Sequence, residues 1–144
     1  MVQPWNGRSF LEARLTADVA LDASSGGWFD GGPGLGAYSY ASNEYFACGV
    51  PDQFKQWKIC DLELLVVLLA VRLWGHQWQG CEVNLLTDNE SVRFLLLSGK
   101  SRDPLRLSLA RLIIGEQFRG EFRVSPARIT TTQNTLADLS LIHI

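Results

Sequence analysis

The sequence predicts an α/β domain: a mixed five-stranded sheet, three antiparallel strands followed by parallel ones, with helices on its faces. Three observations predict it. Short alternating or aromatic-rich segments, punctuated by Gly, Asn and Ser, fill the region before residue 50. After it, apolar runs of helical length alternate with short strand-like segments. The length, 144 residues, suits one compact domain with a sizeable core.

Residues 16–23 (TADVALDA) alternate small or apolar with polar side chains. They break into SSGGWFDGGPG, which neither a helix nor a central strand tolerates, so this is a strand ending in a turn. Residues 35–41 (LGAYSYA) and 45–50 (YFACGV) are short, aromatic-rich and separated by SNE, which predicts a hairpin. After PDQFKQWK comes ICDLELLVVLLAVRLWG, residues 59–75, the most apolar run in the chain. It predicts a helix buried on most of its surface and stopped near Gly75. EVNLLT (82–87) predicts a buried strand, and DNESVRFLLLSG (88–99) a helix capped by Asp88 or Asn89 and stopped by Gly99. DPLRLSLARLIIGE (103–116) sets Asp before Pro at a first turn, then apolar residues at helical spacing, and residues 122–126 form another short strand. A last helix starts at Asn134 and is truncated, because the chain ends ten residues later. With no internal repeat or linker, residues 16–144 are expected to form the domain and residues 1–15 an upstream connector.

Composition narrows the function classes. With 47% hydrophobic and 19% charged residues the chain is globular rather than disordered. A net charge of -2 gives no broad attraction to nucleic acid, so any such site must be local. The unbroken apolar run 64–71 is cut by Arg72, short of the roughly 20 residues that span a bilayer. Residues 1–10 lack the basic-then-apolar order of a secretory signal. An intracellular protein of cytoplasm or nucleus, with no membrane partner, is expected. Cys48, Cys60 and Cys81 are odd in number, widely spaced and without a CxxC pair, which predicts buried reduced thiols rather than disulfides or a zinc site.

Four acids fall where sites form. Asp22 ends the first strand, Glu63 lies in the first turns of the apolar helix, Asp88 follows the fourth strand, and Asp138 lies in the terminal helical segment. A strand-end carboxylate can project into the crevice above the sheet edge, and the helix of Glu63 is too apolar to offer it a solvated face easily. Such a cluster is tolerable only with positive charge inside it. Two divalent ions roughly 3.5 to 4 Å apart would neutralise it and activate water for in-line attack on a phosphodiester. Magnesium suits hard oxygen ligands of this kind.

At these residues the sequence resembles the ribonuclease H domains of retroelement polyproteins. The matching motifs are LDASSGGW (21–28), LELL (62–65), LLTDNESV (85–92) and NTLAD (134–138), in the family's order and over nearly the whole chain. Their wording is most similar to the reverse transcriptase polyproteins of tyrosine-recombinase, DIRS-type retrotransposons, in which WNGRS (5–9) resembles the segment just upstream of the nuclease. The resemblance implies a ribonuclease H-like fold with Asp22, Glu63, Asp88 and Asp138 as the catalytic, metal-binding quartet for two Mg2+ ions, or Mn2+. Asp22 would bridge both ions, Glu63 and Asp88 would hold the ion near the leaving group, and Asp138 would help hold the one that activates water. The implied reaction is endonucleolytic hydrolysis of the RNA strand of an RNA/DNA hybrid, leaving a 3′ hydroxyl and a 5′ phosphate. Shape and the 2′ hydroxyl, not base sequence, would be read. The implied partners are the hybrid and a reverse transcriptase domain of the same polyprotein, with the isolated domain a monomer. Asn89, Ser91, Arg93 and Arg128 are candidate substrate contacts, and Lys100, Arg102 and Arg106 extend the basic cluster.

Plainer roles stand beside these. Asp22 is an ordinary start for a DASSGG turn, and Asp88 a helix cap. Glu63 is also a first-turn acid favoured by the helix dipole, a role that Asp61 fills equally. Two residues apart on a helix, they point in different directions, so only one should face the site. Glu63 falls in the motif, and Asp61 is expected to be exposed. The basic cluster also reads as a solvated helix face, Trp28 as core, and His76 and His143 as surface residues. Two departures from the family favour an alternative, a catalytically inactive connector or scaffold domain of a polyprotein. The tail reads LSLIHI instead of an LSR ending, and PARITTTQN has no histidine where the family carries one, Arg128 standing near that position. The order of acids argues against integrases, which place their glutamate last, and against proofreading exonucleases, which carry Asp-x-Glu where this chain has LDAS.

Overall fold

The computed structural model describes residues 15–24 and 34–128. Its strands are β1 (Leu15–Ser24), β2 (Gly34–Ser39), β3 (Glu44–Gly49), β4 (Cys81–Thr87) and β5 (Arg123–Arg128), in the spatial order β3-β2-β1-β4-β5. β1, β2 and β3 are antiparallel neighbours, whereas β4 runs parallel to β1 and β5 parallel to β4. Among the described residues the α-helices are α1 (Ile59–Trp74), α2 (Glu90–Ser98) and α3 (Pro104–Gly120). The predicted mixed sheet with helices on its faces is therefore what the chain forms. The predicted helix from Asn134, most of the turn after the first strand, and the connector before Leu15 lie outside the described residues.

Alternation sets the inner face of the sheet. β1 buries Ala17, Val19, Leu21 and Ala23 and exposes Thr16 and Asp18, while β4 buries Cys81, Val83, Leu85 and Thr87. α1 packs against β1 and β2 on one side and α3 on another. Twelve of its residues, from Cys60 to Trp74, are buried, which explains an apolar run with no polar stripe. Each fully buried Leu or Val contributes roughly 1.5–3 kcal/mol relative to an exposed one.

Ion pairs fasten α1 to α3 at both ends. Arg106 Nε donates to Asp61 Oδ1 at 2.7 Å, and at the far end Arg72 and Arg119 share Glu116 Oε2 at 3.2 and 2.6 Å. Asn89, not Asp88, caps α2, its Oδ1 accepting from the backbone N–H groups of Ser91 (2.9 Å) and Val92 (3.2 Å). Gly99, at φ 68°, ends that helix as expected. Asp103 caps α3 with Pro104 in its first turn, and the helix runs past the predicted Glu116 to Gly120.

The cysteine expectation needs one correction: Cys60 and Cys81 are buried, but Cys48 is exposed. It lies on β3, an edge strand of the sheet, where little covers it. Leu112, Ile114 and Phe118 of α3 are also exposed, Phe118 at 82%. Among the described residues no helix is long and apolar enough to cross a membrane.

Candidate active site

β1 hands the chain to the antiparallel hairpin on one side of the sheet, while its parallel neighbour β4 leads to β5 on the other. The carboxyl ends of β1 and β4 thus bound a topological switch point, the position where open α/β sheets bind ligands. Asp22 lies here on β1, half-buried and opposite Gly36 of β2. The parallel β1–β4 register runs to Ala20 and Leu86; Asp22 lies two residues further along β1, and Asp88 immediately follows Thr87, the last residue of β4.

Glu63 comes to this edge from the second turn of α1. It is only 4% exposed, and its Oε2 accepts from Thr87 Oγ1 at 3.3 Å. Burial, and next the negative charge of Asp88, push its carboxyl up to about 7, while hydrogen bonds from Asn89 and Thr87 pull in the other direction. Among the described residues the groups that act on it include no cation. A carboxylate removed from water beside a second carboxylate has the electrostatics that a bound cation relieves. Strand alternation sets Asp22 on the same sheet face as Asp18 and Ala20, opposite the face of Leu21 and Ala23. Among the described residues no three His, Cys, Asp or Glu side chains gather closely enough to hold a metal ion. Asp22, Glu63 and Asp88 offer carboxylate oxygens at this edge, the ligand type of a hard divalent cation.

The other predicted positions divide. Asp138 and His143 lie outside the described residues, as does Trp28. Ser91 is exposed on the first turn of α2, and Asn89 is half-buried with its Oδ1 engaged in the cap. Arg93 pairs with Glu90 at 3.4 Å, and its Nε is buried without a hydrogen-bond partner among the described residues. Arg128 ends β5 in register with Thr87, at the same edge of the sheet. Lys100, Arg102 and His76 are exposed. Asp61 contradicts its expectation, being 5% exposed rather than solvated. Arg106, 45 residues away in sequence, reaches it from the first turn of α3. The divergence of Asp61 and Glu63 is as expected, but both point inward, to different neighbours. Thr87 was missed altogether. Its signal is a hydroxyl ending an inward series that otherwise reads Cys81, Val83, Leu85.

No known family profile matches the sequence, and no curated protein matches it. Solved structures do match its architecture. Ribonuclease H1 of the halophilic archaeon Halobacterium salinarum superposes with a TM-score of 0.68 at 12% identity, over 86% of this chain and 92% of that one. LC11-RNase H1, isolated from compost and solved in complex with an RNA/DNA hybrid, gives 0.66 at 14% identity, over 88% of this chain and 94% of that one. A foamy viral protease-reverse transcriptase, also in complex with an RNA/DNA hybrid, gives 0.54 at 12% identity, over 94% of this chain and 21% of that one. Identities this low speak to architecture alone: the chain has the ribonuclease H-like fold.

Proposed function

We propose that this chain is a divalent-metal-dependent endonuclease that hydrolyses the RNA strand of RNA/DNA hybrids during retroelement reverse transcription. The observation that carries the proposal is the buried Glu63 beside Asp88, just past the carboxyl end of β4, with Asp22 near the carboxyl end of the neighbouring β1, at the switch point of the sheet. Asp22, Glu63 and Asp88, completed by Asp138, would hold two Mg2+ ions, with Mn2+ a possible substitute. Bound there, the metal would supply charge neutralisation and a lowered pKa for attacking water. The chain's own contribution is to hold the carboxylates and to exclude water from the α1 side of Glu63. Asn89, Ser91 and Arg93 at the start of α2, with Arg128 at the end of β5, lie on elements that border this edge and are the proposed substrate contacts. A hybrid recognised through shape and the 2′ hydroxyl requires few base-specific groups. The hybrids bound to LC11-RNase H1 and to the foamy viral enzyme support the substrate class. The motif wording supports the retroelement context, in which a reverse transcriptase domain of the same polyprotein adds affinity to an intracellular, monomeric domain.

A second reading is an inactive connector or scaffold domain of such a polyprotein, favoured by the segment PARITTTQN, which carries no histidine. Cleavage of a hybrid labelled on its RNA strand, with Mg2+ or Mn2+, separates the two. Metal-dependent cutting by this chain, lost in Asp22→Asn, is the expected result. A folded chain that cuts nothing under either metal would leave the scaffold reading standing.

A further inference from the structure

We propose that Thr87 is a positioning residue that aims the Glu63 carboxylate, an inference that rests on the metal-site reading above. Thr87 is 0% exposed, so its hydroxyl must find partners inside the protein. Its Oγ1 accepts the backbone N–H of Asn89 at 3.1 Å and donates to Glu63 Oε2 at 3.3 Å. A hydroxyl has one proton. With Oγ1 already accepting from Asn89, that proton is directed at Glu63, and the chain N–H of Asn89, hydroxyl of Thr87, carboxylate of Glu63 has one sense. Oε2 is thereby engaged and the Glu63 carboxylate is oriented with respect to the turn that carries Asp88. The bond is long for O–H···O, so its contribution is direction more than energy.

Packing alone does not call for this hydroxyl. The inward series of β4, Cys81, Val83, Leu85, would be completed equally well by Val, which has the same shape as Thr and favours strands as strongly. What Val lacks is the hydroxyl, which is both the donor to Glu63 and the acceptor for the Asn89 N–H. A competing role, in which Oγ1 only closes the local turn by accepting from Asn89, predicts effects on stability and none on metal.

The experiment compares the wild-type chain with Thr87→Val, Thr87→Ala and Thr87→Ser, first by Mn2+ binding in calorimetry without substrate, then by hybrid cleavage across Mg2+ concentrations. Partners behind a metal ligand are typically worth 10- to 100-fold in affinity or activity. Thr87→Val is therefore expected to bind Mn2+ about tenfold more weakly and to need correspondingly more Mg2+ for half-maximal cutting, with KM for the hybrid unchanged. Thr87→Ser should come within about threefold of wild type. Thr87→Ala takes the place of Thr87→Val should the latter not fold, with the same expected loss. Wild-type Mn2+ affinity in a folded Thr87→Val or Thr87→Ala variant overturns the inference alone, as does a folded Thr87→Ser that behaves like Thr87→Val. A wild-type chain that binds no Mn2+ overturns the metal-site reading and this inference together.

Discussion

Asp61 and Glu63 stand two residues apart on the same helix and are equally withdrawn from water, yet their surroundings assign them opposite work. Asp61 meets the Arg106 guanidinium at 2.7 Å, a charge-assisted bond that joins α1 to α3. Glu63 meets a hydroxyl, an amide and the charge of a second acid. Removing one member of a buried pair strands the other, at a cost of about 3–5 kcal/mol when both are deeply buried. Arg106 keeps 26% of its side chain exposed, so Asp61→Asn is expected to cost less, about 1–3 kcal/mol in urea denaturation. Cleavage per folded molecule should stay within about twofold of wild type, whereas Glu63→Gln should lower it by roughly 100-fold or more without a comparable loss of stability. A stable Asp61→Asn variant that loses cleavage would reverse this assignment. Sequence reasoning could see that the two acids diverge, since that follows from helical geometry. It could not see that Asp61 is buried, because the compensating charge comes from a different helix.

The helices show how the same residue type acquires opposite meanings along one element. α3 carries Gly115 in its fourth turn and Gly120 at its end. A Cβ on Gly120 would stand 2.6 Å from Phe122 Cε2 and 2.8 Å from Cδ2. That ring is buried and meets Trp78 edge-on, with centroids 5.4 Å apart, so it has little room to retreat. Gly120→Ala is expected to destabilise by about 1–3 kcal/mol, the usual range for overpacking. A Cβ on Gly115 meets nothing within 4 Å. There Ala removes only the entropic penalty of Gly in a helix, so Gly115→Ala should stabilise by about 0.5–1 kcal/mol. Thermal unfolding of the two variants should move in opposite directions from wild type, and a shared direction would contradict the close fit of α3 on Phe122. Element order was legible because each element carries local signals, such as Asp103 before Pro104, Gly99 after α2 and the alternation of β1. The exposure of Cys48 was not legible, because it follows from β3 lying at an edge of the sheet, a property of topology rather than of the six residues of the strand.

For the molecule as a whole, the switch-point geometry has a thermodynamic cost that pH can expose. Folding brings Glu63 out of water and beside Asp88, raising its carboxyl from the usual 4.5 to about 7. The folded chain therefore holds the Glu63 proton more tightly than the unfolded chain does. Where the folded state binds more protons, stability falls as pH rises. Below about pH 4.5 both states are protonated at this group and nothing is lost. Between about 4.5 and 7 stability declines, and above 7 the loss is complete, on the order of 3 kcal/mol at most for a group this well buried. Other carboxylates also titrate on the acid side, so the quantity to compare is the difference between the wild-type chain and Glu63→Gln, which has no proton to lose there. In chelator, wild type should lose stability relative to Glu63→Gln from pH 5 to pH 8. A divalent ion bound beside the ionised carboxylate favours the folded state by mass action, and more so at pH 8, where the site is deprotonated. Millimolar Mg2+ should therefore shrink the difference at pH 8 and leave the value at pH 5 nearly unchanged. Parallel pH profiles for the two proteins in chelator would mean that Glu63 is not held away from water as its burial requires. A profile for wild type that Mg2+ does not alter would separate the burial of Glu63 from any role in holding metal.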